Sequence, residues 1–167
     1  MTTPQASAKR TIAIERTYQA SIEDVWELWT TKEGIESWWG PDGFAVTVQK
    51  LELYVGGVLD YTMTASAAPQ IEFMKRAGMP LANESRITFK EITPPKRLVY
   101  GHSISFVPGV DQYNVDTVVE LSASGPNVHL VLTIDAMHDD VWTERAVMGW
   151  KGELEKLAKQ LSLRTKA

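Results

Sequence analysis

Apolar and polar positions alternate along much of this chain, and where the alternation stops the period becomes helical. Thr11 to Tyr18 places Ile12, Ile14 and Tyr18 on one side and Thr11, Glu15 and Thr17 on the other. That pattern predicts a half-buried strand with Arg16 as its one misfit. Ser21 then has the hydroxyl of an N-cap, and Glu23 and Asp24 suit the positive end of a helix dipole. Ile22, Val25, Trp26 and Trp29 follow at helical spacing and form a buried stripe. Thr30-Thr31 and Gly34 predict a break and a second short helix from Lys32 to Trp38, closed by Trp39-Gly40-Pro41-Asp42-Gly43.

After that turn the period is two. Phe44, Val46 and Val48 share one face and Leu51 and Leu53 the other, and Gly56-Gly57 predicts a tight reversal into a strand carrying Leu59, Tyr61 and Met63 on one side. The stretch from Ala65 to Ser85 is too long for a hairpin loop. Within it Ile71, Phe73, Met74 and Ala77, with Gly78 as a stop, predict a helical turn or two. Arg86 to Ile92 and Arg97 to Phe106 read as strands joined by Thr93-Pro94-Pro95-Lys96, and Val115 to Leu121 and Val128 to Ile134 as a further pair. From Asp140 to Leu163 a long helix is expected, with Val147, Trp150, Leu154, Leu157 and Leu161 as its apolar stripe. The predicted fold is α+β: a curved antiparallel sheet of about six or seven strands wrapped around the long C-terminal helix, with two short helices after the first strand. Residues 1–10 are expected to be a disordered tail and 11–163 a single domain, without internal repeat or linker. A sheet gripping one helix leaves a space between them, and such spaces hold ligands.

Composition narrows the function. The hydrophobic fraction of 44% and charged fraction of 23% are those of a globular protein with a real core. A net charge of −4 without any Lys/Arg cluster argues against nucleic acid or an anionic membrane as partner. No cysteine is present, which excludes disulfides, thiolate nucleophiles and cysteine-ligated zinc. No apolar run approaches a membrane span and the first residues lack a signal-peptide pattern, so a cytoplasmic soluble protein, monomeric or homodimeric, is expected.

The candidate chemistry is sparse. His102 shares parity with Leu98, Tyr100, Ile104 and Phe106 and so faces the inside of its strand, either as a neutral core histidine or as a group that orients a ligand or moves a proton. Asp116 falls on the opposite parity from Val115, Thr117 and Val119 and reads as solvent-facing. His138-Asp139-Asp140 reads as a turn and helix cap; no metal and no cofactor is expected. No G-x-S-x-G elbow is present for a serine nucleophile, and Gly56-Gly57 precedes no helix that would hold a phosphate.

Several motifs in order resemble one family: Ile14-Glu15-Arg16-Thr17-Tyr18-Gln19-Ala20-Ser21, Val25-Trp26-Glu27-Leu28-Trp29-Thr30, Glu36-Ser37-Trp38-Trp39-Gly40-Pro41, Gly56-Gly57, Ile92-Thr93-Pro94-Pro95-Lys96-Arg97-Leu98-Val99, and Gly149-Trp150 with Leu154, Leu157 and Leu161. From about Ala8 to Leu163 the chain is similar to the SRPBCC, or START-like, superfamily with the helix-grip fold, and within it to the heat-shock-protein ATPase activator-like (AHSA-type) group. The resemblance implies a cavity between sheet and C-terminal helix for a hydrophobic or aromatic small molecule. The alternatives it leaves are a cyclase, dehydratase or isomerase using the same pocket, and a chaperone-activator-like interaction domain. The expected ligand-facing residues are Trp39, Phe44, Tyr61, Met63, Phe73, Met74, Phe89, Tyr100, His102, Phe106 and Met137, with His102 the one catalytic candidate.

Overall fold

The alternating segments form a single sheet in the computed structural model, which describes residues 10–104 and 109–165. Its strands are β1 (Thr11–Gln19), β2 (Phe44–Leu51), β3 (Val58–Ala65), β4 (Ala82–Thr93), β5 (Arg97–Ile104), β6 (Tyr113–Ser124) and β7 (Asn127–Asp135). The order is β1-β7-β6-β5-β4-β3-β2, and every neighbouring pair is antiparallel. The helices are α1 (Ile22–Thr30), α2 (Lys32–Trp38), α3 (Ala68–Arg76) and the long α4 (Asp140–Thr165). This is the α+β helix-grip arrangement. Phe106 and residues 1–9 of the expected tail lie outside the described residues. Arg10, also assigned to that tail, is instead tied in, its carbonyl accepting from the Ala136 amide at 2.8 Å.

Local chemistry accounts for the first corner. Ser21 Oγ accepts from the Asp24 amide at 3.1 Å and starts α1. Thr31 ends α1 in extended backbone and caps α2, its hydroxyl accepting from the Gly34 amide at 3.0 Å. The two helices cross so closely there that a Cβ on Gly34 would lie 2.6 Å from the Glu27 carbonyl oxygen, so only glycine fits. Trp38 Nε1 then donates to the Leu28 carbonyl at 2.7 Å, and its ring meets Trp29 edge-on at 4.6 Å. Val25, Leu28, Trp29, Ile35 and Trp38 are buried with Phe89, Leu98, Leu130 and Leu132 from the sheet and Leu154, Leu157 and Leu161 from α4.

Two departures from simple alternation matter. The register of β2 against β3 shifts between Val48 and Lys50, which returns Leu51 to the core face opposite Leu59. The sequence pattern placed Leu51 on the other face, and the one extra residue of the bulge reverses its parity. Leu53 lies beyond the strand and is exposed. The second departure is that β4 begins at Ala82, so the Ala65–Ser85 segment consists mostly of α3 and the start of a strand. Its stop is as the sequence suggests, with Gly78 at φ +68°. The outer face of the sheet carries ion pairs such as Arg86–Asp60 and Lys90–Asp116, both at 2.6 Å. They keep that face wetted and add little stability each.

Candidate functional site

Helix α4 plays different parts along its length. Leu154, Leu157 and Leu161 are buried in the core, whereas Trp142, Arg145, Ala146, Gly149, Trp150 and Glu153, recurring every three or four residues, line a cavity of about 490 Å³ against the sheet. Small residues make the room: a Cβ on Gly149 would meet nothing within 4 Å. Alternate residues of the strands supply the opposite wall, Tyr61 and Met63 from β3, Ile87 from β4, Tyr100, His102 and Ile104 from β5, Val115 and Thr117 from β6 and Ile134 from β7. Trp39, Gly40 and Pro41 add the corner between α2 and β2 to the lining, and Asp116, Asp135 and Met137 complete it.

The aromatic rings are ordered. Trp39 stands perpendicular to Tyr61, with centroids 5.4 Å apart and planes at 87°, and is tilted against Tyr100 at 5.9 Å. Trp150 stacks on Trp29 at 6.4 Å. Tyr100 is fixed from below by the Trp29 Nε1 donor at 3.5 Å. Trp39 Nε1 is the one buried side-chain nitrogen or oxygen without a hydrogen-bond partner among the described residues, a feature of the kind that marks strain or a missing partner.

Glu153 is the main polar group on the helix side. Its Oε1 accepts from the Gly40 amide at 2.9 Å, and Lys156 Nζ, one turn further on, donates to the Gly40 carbonyl at 2.9 Å. Burial pushes the Glu153 carboxyl up to about 7, against the opposing pull of the Gly40 hydrogen bond and the Lys156 charge. No cation forms an ion pair with Glu153 among the described residues. Burial, with the Glu153 charge adding, pushes the Tyr61 phenol up to about 12, and burial raises Tyr100 further. Across the cavity, burial holds the His102 imidazole below its ordinary value against the pull of Asp116, so the ring is neutral at pH 7. His102 has no hydrogen-bond partner among the described residues, unlike a core histidine satisfied by a neighbour.

The expected site residues divide accordingly. Trp39, Tyr61, Met63, Tyr100, His102 and Met137 come together around the cavity. Phe44, Phe73, Met74 and Phe89 do not. Phe89 is 1% exposed within the core, Met74 is buried and holds α3 down, and Phe73 just before it turns outward and is 65% exposed. Phe44 pairs with Ala65 at the start of β2, away from the lining. Asp116, read as solvent-facing, does pair with Lys90 on the outer face, yet is half-buried and borders the cavity. Asp139 caps α4, its Oδ1 accepting from the Trp142 amide at 2.8 Å, and His138 Nδ1 pairs with the Tyr113 hydroxyl at 2.7 Å. No group of three histidine, aspartate or glutamate side chains suited to a metal occurs among the described residues. Likewise no helix there is long and apolar enough to cross a membrane.

Sequence reasoning missed Glu153, Arg145 and Trp142. The available signal was their helical spacing with Ala146, Gly149 and Trp150, a face beside the leucine stripe that mixes large rings with the smallest residues.

Comparison with known proteins gives the same fold. The crystal structure of a protein from Chromobacterium violaceum is 21% identical and superposes with a TM-score of 0.73 over 90% of this chain and 96% of its own. The AHSA1 protein from Silicibacter pomeroyi is 18% identical, with a TM-score of 0.71 over 93% of this chain and 99% of that one. The AHSA1-like protein from Aeromonas hydrophila is 20% identical, with a TM-score of 0.69 over 93% and 94%. No curated protein matches the chain. The family model for activator of Hsp90 ATPase homolog 1-like proteins matches residues 19–162, which with the helix-grip sheet places this chain in that family.

Proposed function

We propose that this protein binds a small molecule with a hydrophobic or aromatic body in the cavity between the sheet and α4. The observation carrying this reading is the cavity itself: about 490 Å³, walled by Trp39, Tyr61, Tyr100 and Trp150, beside a core whose other large side chains are packed to near-zero exposure. That size falls within the roughly 300–1,000 Å³ usual for small-molecule sites. Burial of the ligand's apolar surface supplies the affinity, and His102, Glu153 and Tyr61 supply the few polar contacts that fix its orientation. The test is native mass spectrometry of gently purified protein and a thermal-shift screen of aromatic and acyl compounds, repeated on Gly149→Leu. Ligands that raise the melting temperature of the wild type and leave Gly149→Leu unmoved support the reading. Equal shifts in both proteins overturn it.

A second reading is proton-transfer catalysis of the isomerase or dehydratase kind, favoured by one observation. Glu153, with its carboxyl near 7, and the neutral His102 line the same cavity, so an acid and a base face one bound molecule. A bound ligand that takes up solvent deuterium with wild type and not with His102→Ala or Glu153→Gln supports it; no exchange with wild type sinks it.

A further inference from the structure

An unpaired carboxylate in an aromatic cavity is an incomplete arrangement. Glu153 accepts one backbone hydrogen bond, from Gly40, and has no ion-pair partner among the described residues. Lys156, the nearest helical cation, has its ammonium turned to the Trp39 and Gly40 carbonyls at 3.4 and 2.9 Å. Burying a charge in such surroundings is costly unless an opposite charge is supplied.

The rest of the wall has the same sign. Asp116, Asp135 and Glu153 border the cavity, and facing them are Arg145 and the His102 imidazole, which burial keeps neutral. Lys90 neutralises Asp116 from outside. Arg145 is exposed and lies over the Trp142 ring at 5.0 Å, so its charge is held at the surface. Beside Glu153, the Trp39, Tyr61 and Tyr100 rings pack on one another, Trp39 edge-to-face with Tyr61 at 5.4 Å and tilted against Tyr100 at 5.9 Å, and together form one aromatic stretch of the cavity wall. Aromatic faces attract cations through the ring quadrupole, and the attraction grows when water is excluded.

We infer that the ligand is a cation: an amine or quaternary ammonium compound whose positive nitrogen sits against the Glu153 carboxylate and the rings of Trp39, Tyr61 and Tyr100, with its apolar body toward Trp150. This rests on the cavity being a small-molecule site and adds the charge of the molecule that fills it. The cation supplies the counter-charge that the fold leaves out, and the rings reject a carboxylate or phosphate head group through the same quadrupole.

Three probes with one skeleton test it: 3-phenylpropylammonium, the neutral 3-phenylpropanol and the anionic 3-phenylpropionate, titrated calorimetrically at about pH 8, where Glu153 is ionised. The ammonium is expected to bind about tenfold more tightly than the alcohol and the carboxylate most weakly. Glu153→Gln keeps an acceptor for the Gly40 amide and therefore the fold, as circular dichroism will register, and is expected to bring ammonium and alcohol within about twofold of each other. If the alcohol or carboxylate binds as tightly as the ammonium, the cation inference fails while the cavity reading stands. An ammonium preference that survives in Glu153→Gln overturns the role of Glu153. Failure of all three probes to bind overturns both.

Discussion

Glu153 and Gly40 lie 113 residues apart in the chain and are joined by a 2.9 Å hydrogen bond from the Gly40 amide to the Glu153 carboxylate. With Lys156 on the Gly40 carbonyl, α4 grips both polar groups of one residue at the corner between α2 and β2. Gly40 has φ +87°, a conformation that L side chains rarely adopt, so the corner depends on glycine and on the helix that holds it.

Stability is expected to depend on pH through Glu153. The carboxyl is raised from 4.5 to about 7 in the folded chain, so between those values the native state holds a proton that the unfolded state has released. Its contribution is full below about 4.5 and is lost as pH rises through about 7, on the order of 2 kcal/mol after allowing for residual solvent contact. His102 has the opposite sign, since a depressed imidazole stabilises above its ordinary 6.5 and loses that as pH falls. The difference in urea unfolding free energy between wild type and Glu153→Gln isolates the carboxyl. A difference that stays constant from about pH 5 to pH 8 contradicts the burial argument.

Lys156→Met removes the ammonium from two carbonyls while keeping the apolar stem. It is expected to cost about 1–2 kcal/mol in chemical denaturation. Because the Lys156 charge also lowers the Glu153 carboxyl, the pH step should move upward in this variant. A loss of stability with no movement of the step would show the two groups to be independent.

The adjacent tryptophans should respond differently to one substitution. Trp38→Phe leaves the Leu28 carbonyl without its 2.7 Å donor at a fully buried site, while Trp39→Phe removes a donor that has no partner. Trp38→Phe is therefore expected to be the more destabilising by about 1–2 kcal/mol, and Trp39→Phe to alter ligand affinity more than stability. Equilibrium unfolding and ligand titration of both variants check this, and equal stabilities would count against it.

Gly149→Leu puts a side chain into open space on α4 and also replaces a poor helix former. It should raise stability by about 1 kcal/mol or more while abolishing ligand binding, the opposite of what filling a packed core does. A fall in melting temperature would mean that the space is already occupied by side chains.

Much of this fold was legible because local signals and global packing agree. The cap at Ser21, the break at Thr31 and the stop at Trp39 bound α1 and α2 with no tertiary information, and α2 spans the expected Lys32–Trp38. The face of Leu51 was not legible, because a bulge is set by pairing with β3 and leaves no mark in an alternating run. Phe89 shows the limit of parity: it shares the inner face with cavity residues but lies under Tyr100 in the core, and only depth separates the two. Glu153 was missed for a plainer reason. A glutamate among charged helix residues looks solvated until the chain brings Gly40 against it.

The strand order has one more consequence, for a chain emerging from the ribosome. β1 is made first of the seven strands, yet its partner is β7, whose pairing residues run from Asn127 to Asp135. For most of synthesis, β1 therefore carries Ile12, Ile14 and Tyr18 on an unpaired edge, while β2 to β6 can already zip together in sequence. A product truncated before Val128 would keep that edge open permanently, which makes β1 the segment where chaperone capture or strand exchange between nascent chains would begin.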